Sequence, residues 1–333
     1  MKIVGCDFGT MNLYAFIESE GELKESRLRN CYIEIEEDEA DVLKLSNMGT
    51  IKLNNGKMII VGDDAMSIAG LLKKELKRPM KQGLMAVDEV NDAIDVITVM
   101  VKSLIGKGNG KDDTVVYSIP AKPIDLDRSL TYHKKVIERI LNSLGYKAIA
   151  KNEAYAISIS ELQDTMFTGI NLSFGSGMTN VCLTYKSMNT LELSVGKGGD
   201  WIDHSVHTDI KAPISKIIKI KEKELNLEDA TEGNPKNYRI REALEFYYKE
   251  LITDTLIELS DYIKENSGSV ELDEPIPLVV SGGTSLVKGF MKFFKEVYEN
   301  IKDFPIEISE IRHAKNPLSA VANGLYIIGK NAK

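Results

Sequence analysis

The same local design opens both halves of the chain, and no other feature limits the fold as much. Residues 2–7, the turn Phe8-Gly9-Thr10 and residues 13–17 read as two strands joined by a tight glycine-containing hairpin. Residues 170–183 repeat the design: a strand, a turn carrying Gly175 and Gly177, and a second strand. A chain built this way holds two similar domains, each starting on a hairpin, with no short-period repeat.

The segments that follow each hairpin alternate helix and strand, the mark of an α/β domain. Val90, Ile94, Ile97, Val101 and Leu104 recur at helical spacing over residues 88–105. A buried-type strand at 114–120, a helix at 129–144, a strand at 146–150 and a helix at 154–162 follow. The second half predicts a strand at 191–195, a glycine turn at 196–199, helical segments over 202–220 and a long amphipathic helix at 238–265. The apolar stripe of that helix is Ala243, Leu244, Tyr247, Leu251, Leu256, Leu259 and Ile263. A strand then runs into Ser281-Gly282-Gly283-Thr284 at a helix N-terminus, and a helix over 317–329 closes the chain. Residues 30–90 mix short strands (31–35 and 58–61) with an acidic stretch at 36–41, the pattern of a small inserted subdomain.

A chain of 333 residues exceeds what one core usually organises, which agrees with two domains. Fifty acidic against 42 basic residues give a net charge of -8, which argues against bulk nucleic-acid binding. Cys6, Cys31 and Cys182 are odd in number and widely separated, so neither a disulfide framework nor a zinc site is readable, and a reducing cytoplasm fits. No signal peptide and no apolar run of about 18 residues is present, so no membrane span is expected.

Three glycine-bearing turns are the candidates for chemistry: 7–10, 173–179 and 281–284. Glycine lets backbone N–H groups approach an anion with no Cβ in the way, and Ser or Thr hydroxyls add donors. Each turn alone is equally a hairpin or cap turn; two hairpins from similar domains facing each other would clasp one phosphate chain. A P-loop, a Rossmann glycine fingerprint and a nucleophile elbow are all missing. The four histidines are scattered, and His204 and His207, which could share a helix face, read as surface or packing residues.

In order and spacing these residues resemble the actin/MreB/DnaK-type ATPase superfamily, and most of all its prokaryotic filament proteins. Asp7-Phe8-Gly9-Thr10 resembles the first phosphate hairpin, and 172–181 the second. Residues 60–65 with 77–83 (KRPMKQG) are similar to the actin and MreB segment leading to a P-x-x-x-G turn. Ile119-Pro120-Ala121 with Asp127-Arg128 resembles the strand end and next helix of the MreB and DnaK types. Asn152-Glu153-Ala154-Tyr155-Ala156 resembles the first interdomain connection, Gly198-Gly199-Asp200 the turn after the second hairpin, and 281–284 the adenosine motif. Asn316-Pro317 with Ala322-Asn323-Gly324 resembles the second connection.

The resemblance implies an α/β actin-like fold with two RNase H-like domains flanking a nucleotide cleft. Its domains would be 1–156 with an insertion near 30–90, 157–315 with an insertion near 210–275, and a C-terminal helix, 316–333, returning to the first domain. It implies ATP or ADP with Mg²⁺, Asp7 holding the metal through water. Gly9, Thr10 and Asn12 would contact phosphates from one side, and Gly175, Ser176, Gly177 and Thr179 from the other. Gly282, Gly283 and Thr284 would line the nucleoside, and Glu153 would orient the attacking water. Read alone, Asp7 is also a turn-capping carboxylate and Glu153 a helix N-terminal charge; Gly198, Gly199 and Asp200 read as turn structure first, and Asp127 as a first-turn helix acid outside the catalytic set.

Two positions depart from the pattern. Ser173 stands where the second hairpin usually opens with a metal-holding Asp, which implies slow hydrolysis, and Ala154 replaces a Pro that actins also lack. The implied function is a cytoplasmic, cytoskeletal ATPase that polymerises on itself, with an adaptor protein as a further partner; the chain's end at Lys333, without a DnaK-type substrate domain, favours the filament. The rivals are a nonpolymerising ATP switch, such as a reactivating factor or a pilus or division scaffold, and a small-molecule kinase, for which no catalytic Asp is assignable. ATP and GTP are not distinguished.

Overall fold

The computed structural model describes residues 1–39, 49–86, 92–110, 112–125, 130–266, 272 and 274–332. Val90, Asp127 and Arg128 lie outside the described residues. The chain divides into two compact units, one of Met1–Ile119, Ser129–Lys151 and Leu325–Lys333, the other of Pro120–Arg128 and Asn152–Gly324.

In the first unit β1 (Lys2–Phe8), β2 (Asn12–Ser19) and β3 (Glu22–Arg29) form an antiparallel meander. β4 (Tyr32–Ile35), β5 (Ile51–Lys52) and β6 (Met58–Val61) make a separate three-stranded sheet, followed by α1 (Gly62–Ile68). Ile33, Ile35, Ile60, Ala65 and Ile68 give this insertion its own apolar cluster. A short hairpin of β7 (Met80–Lys81) and β8 (Leu84–Met85) leads to α2 (Ala93–Ile105), β9 (Thr114–Ile119), α3 (Leu130–Ser143) and β10 (Lys147–Asn152). The main sheet has the order β10-β9-β1-β2-β3, with β9 parallel to β1. In α2 the buried face is Val96, Ile97, Met100, Val101 and Leu104; Ile94, expected on the stripe, is 39% exposed, so the inward face is rotated toward Ala93 and Val96.

The second unit starts with α4 (Glu153–Glu161), whose N-cap Asn152 accepts the Tyr155 N–H through its side chain. Next come β11 (Gly169–Phe174), β12 (Thr179–Tyr185) and β13 (Met188–Val195), again an antiparallel meander. Every residue of β11 is buried, as expected for a central strand covered on both faces. Helices α5 (Gly199–Ile210), α6 (Ile214–Lys223) and α7 (Tyr238–Glu265) precede β14 (Ile276–Ser281), α8 (Phe290–Glu299), β15 (Ile308–His313) and α9 (Ala320–Asn331), whose residues from Leu325 on belong to the first unit. The sheet order is β13-β12-β11-β14-β15, with β14 parallel to β11. Read from the other edge, it is the order of the first sheet, strand for strand.

Side chains from α6 and α7 join the cluster that covers β11, β12 and β14, so these helices complete the core of the sheet. On α7 it is Tyr248, not the expected Tyr247, that is fully buried; Tyr247 packs at the margin against Trp201. Arg241 of α7, fully buried, is held by the carbonyls of Ala230 and Asn234 at 2.8 and 2.9 Å and fixes the loop before the helix. After β14 the chain enters a single 3₁₀ turn, Gly283–Leu286, and the longer helix expected there, α8, begins only at Phe290. Among the described residues no helix is long and apolar enough to cross a membrane.

Candidate functional site

The two hairpin turns are built alike. In the first unit Phe8 pairs with Leu13, leaving Gly9, Thr10, Met11 and Asn12 as the connection; in the second Phe174 pairs with Thr179, leaving Gly175 to Met178. A Cβ on Gly9 would lie 2.6 Å from the Asn12 carbonyl oxygen, and one on Gly175 2.8 Å from that of Met178. Each turn therefore requires glycine at its first position because the carbonyl three residues on folds over it.

In the first unit Asp7 is at the end of β1. Its Oδ1 accepts the Ser118 hydroxyl at 2.8 Å, and Ser118 Oγ in turn accepts the Phe8 N–H at 2.8 Å. Burial pushes the Asp7 carboxyl up to about 6, and the Ser118 hydrogen bond opposes that rise. Ser118 was not singled out from the sequence; its signal is the parallel register, in which Cys6 faces Tyr117 and so sets Asp7 beside Ser118. Thr10 Oγ1 accepts the Gly83 N–H at 2.8 Å, tying the turn to the segment after β7. Asn30 Nδ2 donates to the Gly9 carbonyl at 2.9 Å. Asn12 Oδ1 is buried with no hydrogen-bond partner.

In the second unit three glycine segments converge. The first N–H groups of α5 donate to the turn, Gly199 to the Gly175 carbonyl at 3.0 Å and Asp200 to that of Ser176 at 2.7 Å. Gly198 lies so close that a Cβ would stand 2.6 Å from the Gly175 oxygen. Thr284 Oγ1 also donates to the Gly175 carbonyl, at 2.8 Å. Gly282, at φ +93°, passes under Phe174, whose carbonyl oxygen a Cβ would meet at 2.4 Å, whereas a Cβ on Gly283 would find only the Leu318 side chain at 3.4 Å. Gly177 completes the turn, and Thr179, fully buried, donates its hydroxyl to the Lys197 carbonyl at 3.0 Å. Ser176 Oγ is buried and unpartnered. Lys221 supports the same region from below, donating to the Gly199 carbonyl and pairing with buried Asp203 at 2.7 Å.

Glu153, the first residue of α4, belongs to this second group. Its Oε1 accepts the Ser173 hydroxyl at 2.6 Å and its Oε2 the Asn180 amide at 3.0 Å. His204 and His207 are exposed on α5 and bind backbone carbonyls, of Asp200 and Ala212. Among the described residues no group of three or more His, Cys, Asp or Glu converges as metal ligands. A single carboxylate still suits Mg²⁺, which keeps most of its waters and takes its other ligands from phosphates. The buried, unpartnered Ser176 hydroxyl is a donor that suits a phosphate-bearing ligand, whereas the orphaned Asn12 Oδ1 is an acceptor and suits a water or a cation.

The sequence matches the family described as Volactin over residues 1–328. No curated protein matches it. Among solved structures it is similar to a MamK double helical filament, at 16% identity over 99% of each chain with TM-score 0.69. MreB 5 of Spiroplasma citri bound to AMPPNP is similar at 15% identity and TM-score 0.70, over 99% of this chain and 96% of that one. The ethanolamine utilization protein EutJ from Carboxydothermus hydrogenoformans matches at 16% identity and TM-score 0.56, over 98% of this chain and 89% of that one. The fold is that of the prokaryotic actin-like proteins.

Proposed function

The chain belongs to the Volactin family, and from its actin-like fold and paired turns we propose that it is an ATPase that binds ATP with Mg²⁺ and assembles into nucleotide-regulated filaments. The observation that carries this reading is the duplicated turn: two copies of one sheet each end β1 or β11 in a loop that requires glycine, and the second loop holds the unpartnered Ser176 hydroxyl. Structures of MamK and MreB 5 bound to AMPPNP support a nucleotide as the ligand, and the MamK filament supports self-association.

In this reading the turns of Gly9, Thr10 and Asn12 and of Gly175, Ser176 and Gly177 receive the phosphates, Thr179 holding the second turn through its bond to the Lys197 carbonyl, and Gly282, Gly283 and Thr284 receive the nucleoside. Asp7 holds Mg²⁺ through water, the ion supplying charge neutralisation on the phosphates. Glu153 orients the water. The filament is cytoplasmic and cytoskeletal, and an adaptor links it to cargo. Glu153→Ala should slow phosphate release about a hundredfold while ATP binding persists; equal hydrolysis removes Glu153 from the role. Asp7→Ala should weaken magnesium-dependent ATP binding about tenfold, and unchanged magnesium dependence refutes that assignment.

A second reading, a nonpolymerising ATP switch, is favoured by Ser173, whose hydroxyl replaces a metal-holding carboxylate. Sedimentation with light scattering in ATP-Mg²⁺, ADP-Mg²⁺ and no nucleotide separates the two. ATP-dependent pelleting with filaments in negative stain supports the polymer; ATP binding without pelleting supports the switch.

A further inference from the structure

Ser173 holds in β11 the place that Asp7 holds in β1, two residues before the constrained turn glycine. The two side chains nevertheless have different partners. Asp7 accepts from Ser118 on the neighbouring parallel strand, whereas Ser173, whose register partner on that side is Ser281, donates instead to Glu153 Oε1 at 2.6 Å. The other donor to the same carboxylate, Asn180, lies directly opposite Ser173 across the β11–β12 ladder. A facing cross-strand pair presents both side chains on one face of the sheet, so the two donors converge on one group.

The Asn180 amide is fixed in orientation. Its Oδ1 accepts the Ala121 N–H at 3.3 Å and, at 2.6 Å, the Ser194 hydroxyl, whose oxygen also lies 3.1 Å from the Ala121 carbonyl. With the oxygen so engaged, the NH₂ end must point to Glu153. Ser173, Asn180 and Ser194 are 2%, 1% and 0% exposed, so the network works away from competing water.

We propose that Ser173 and Asn180 are positioning residues that clamp the Glu153 carboxylate in one orientation, and that position 173 serves this carboxylate instead of a cation. The inference rests on the ATPase reading. It gives the departure at 173 a definite sign: a carboxylate there would stand against Glu153 as a like charge and would remove a donor.

Steady-state phosphate release by the full chain tests it, with ATP affinity measured in parallel. Ser173→Ala should lower kcat roughly tenfold to a hundredfold, the scale of one hydrogen bond to a charged group, with ATP affinity within about twofold and the acid limb of the kcat profile moved to higher pH. Ser173→Thr, which keeps the hydroxyl, should recover the rate. Ser173→Asp should be slower than wild type, whereas a metal-binding role for this position predicts a faster enzyme. A faster Ser173→Asp, or a Ser173→Ala with unmoved kcat and acid limb, overturns the proposal. If substitutions at 173 do not fold, Asn180→Asp, which exchanges the donor to Oε2 for an acceptor at equal size, carries the same expectation. A wild-type protein that releases no phosphate overturns the ATPase reading and this inference with it; an active wild type with indifferent variants overturns the inference alone.

Discussion

Replacing Gly324 by alanine sets two effects of opposite sign against each other. Gly324 is inside α9, where helix propensity alone favours alanine by about 1 kcal/mol. The structure opposes this: a Cβ built on Gly324 would sit 1.8 Å from the Ala156 carbonyl oxygen, 2.6 Å from its carbon and 3.1 Å from its Cα. All three atoms are the backbone of α4, so no side chain can swing aside. Ordinary contact begins at 3.4 Å, so the helices would have to part by about 1.6 Å along that line. Forced separation of well-packed backbone costs about 3 kcal/mol or more, leaving a net loss of about 2 kcal/mol, or about 4–8 °C in melting midpoint for a unit of this size. Because Ala156 is three residues from Glu153 on the same helix, phosphate release should fall as well. Calorimetry and a urea titration at constant m-value would read the loss. A midpoint at or above wild type would show that propensity prevails and that the approach of the two helices is softer than its geometry indicates.

Other predictions use separate parts of the fold. His133 is 2% exposed with Nδ1 accepting the Met85 N–H, and burial pushes its pKa down to about 4. The unfolded side chain titrates near 6.5, so the native state binds fewer protons between these values, and stability present above about pH 6.5 is lost toward pH 4 by up to about 3 kcal/mol. Urea midpoints of wild type and His133→Gln across that range should diverge on acidification; parallel curves would remove His133 from the account. Gly282→Ala meets both a positive φ and the Phe174 backbone and should cost about 2 kcal/mol, while Gly283→Ala should be within about 0.5 kcal/mol of wild type; equal melting points for the two would contradict this geometry. Arg241→Met leaves the Ala230 and Asn234 carbonyls without their buried donor and should destabilise by about 3 kcal/mol. Limited proteolysis should then cut between 230 and 234, and an uncut loop would argue against the arginine as its anchor.

The elements legible in the sequence were those with a strong apolar period or a glycine turn. Both hairpins, β4, β6, β9 and the full span of α7 lie where the pattern sets them. β3 went unread because it is the edge strand of its sheet and mostly exposed, so Glu22 to Arg29 carries no alternation to detect; its pairing comes from β2 alone. The helix expected straight after 281–284 starts later, at Phe290, because residues 283–286 form a 3₁₀ turn first; Phe290, Phe294 and Val297 then give α8 its buried stripe. Within the candidate site, Gly9, Gly175 and Gly282 announce themselves, since only glycine tolerates those approaches. Ser118 and Asn180 do not: each is an ordinary strand residue whose importance lies in the register that sets it beside Asp7 or Glu153, over a hundred residues away in one case and 27 in the other.

That contrast bears on how two copies of one sheet come to carry unlike groups at equivalent positions. Positions 7 and 173 are equivalent in strand order and in distance from the turn glycine, yet the groups that reach them differ. β9 brings a neutral hydroxyl to Asp7, and a carboxylate there keeps a donor and carries the charge alone. α4 brings the carboxylate of Glu153 to Ser173 at 2.6 Å, where a second carboxylate would stand against it as a like charge. Each half thus places one acid and one hydroxyl at the end of its central strand, with the acid on the strand in the first unit and on the helix in the second. The serine that looks like a lost metal ligand in the sequence is, in this geometry, the donor that lets the helix supply the charge.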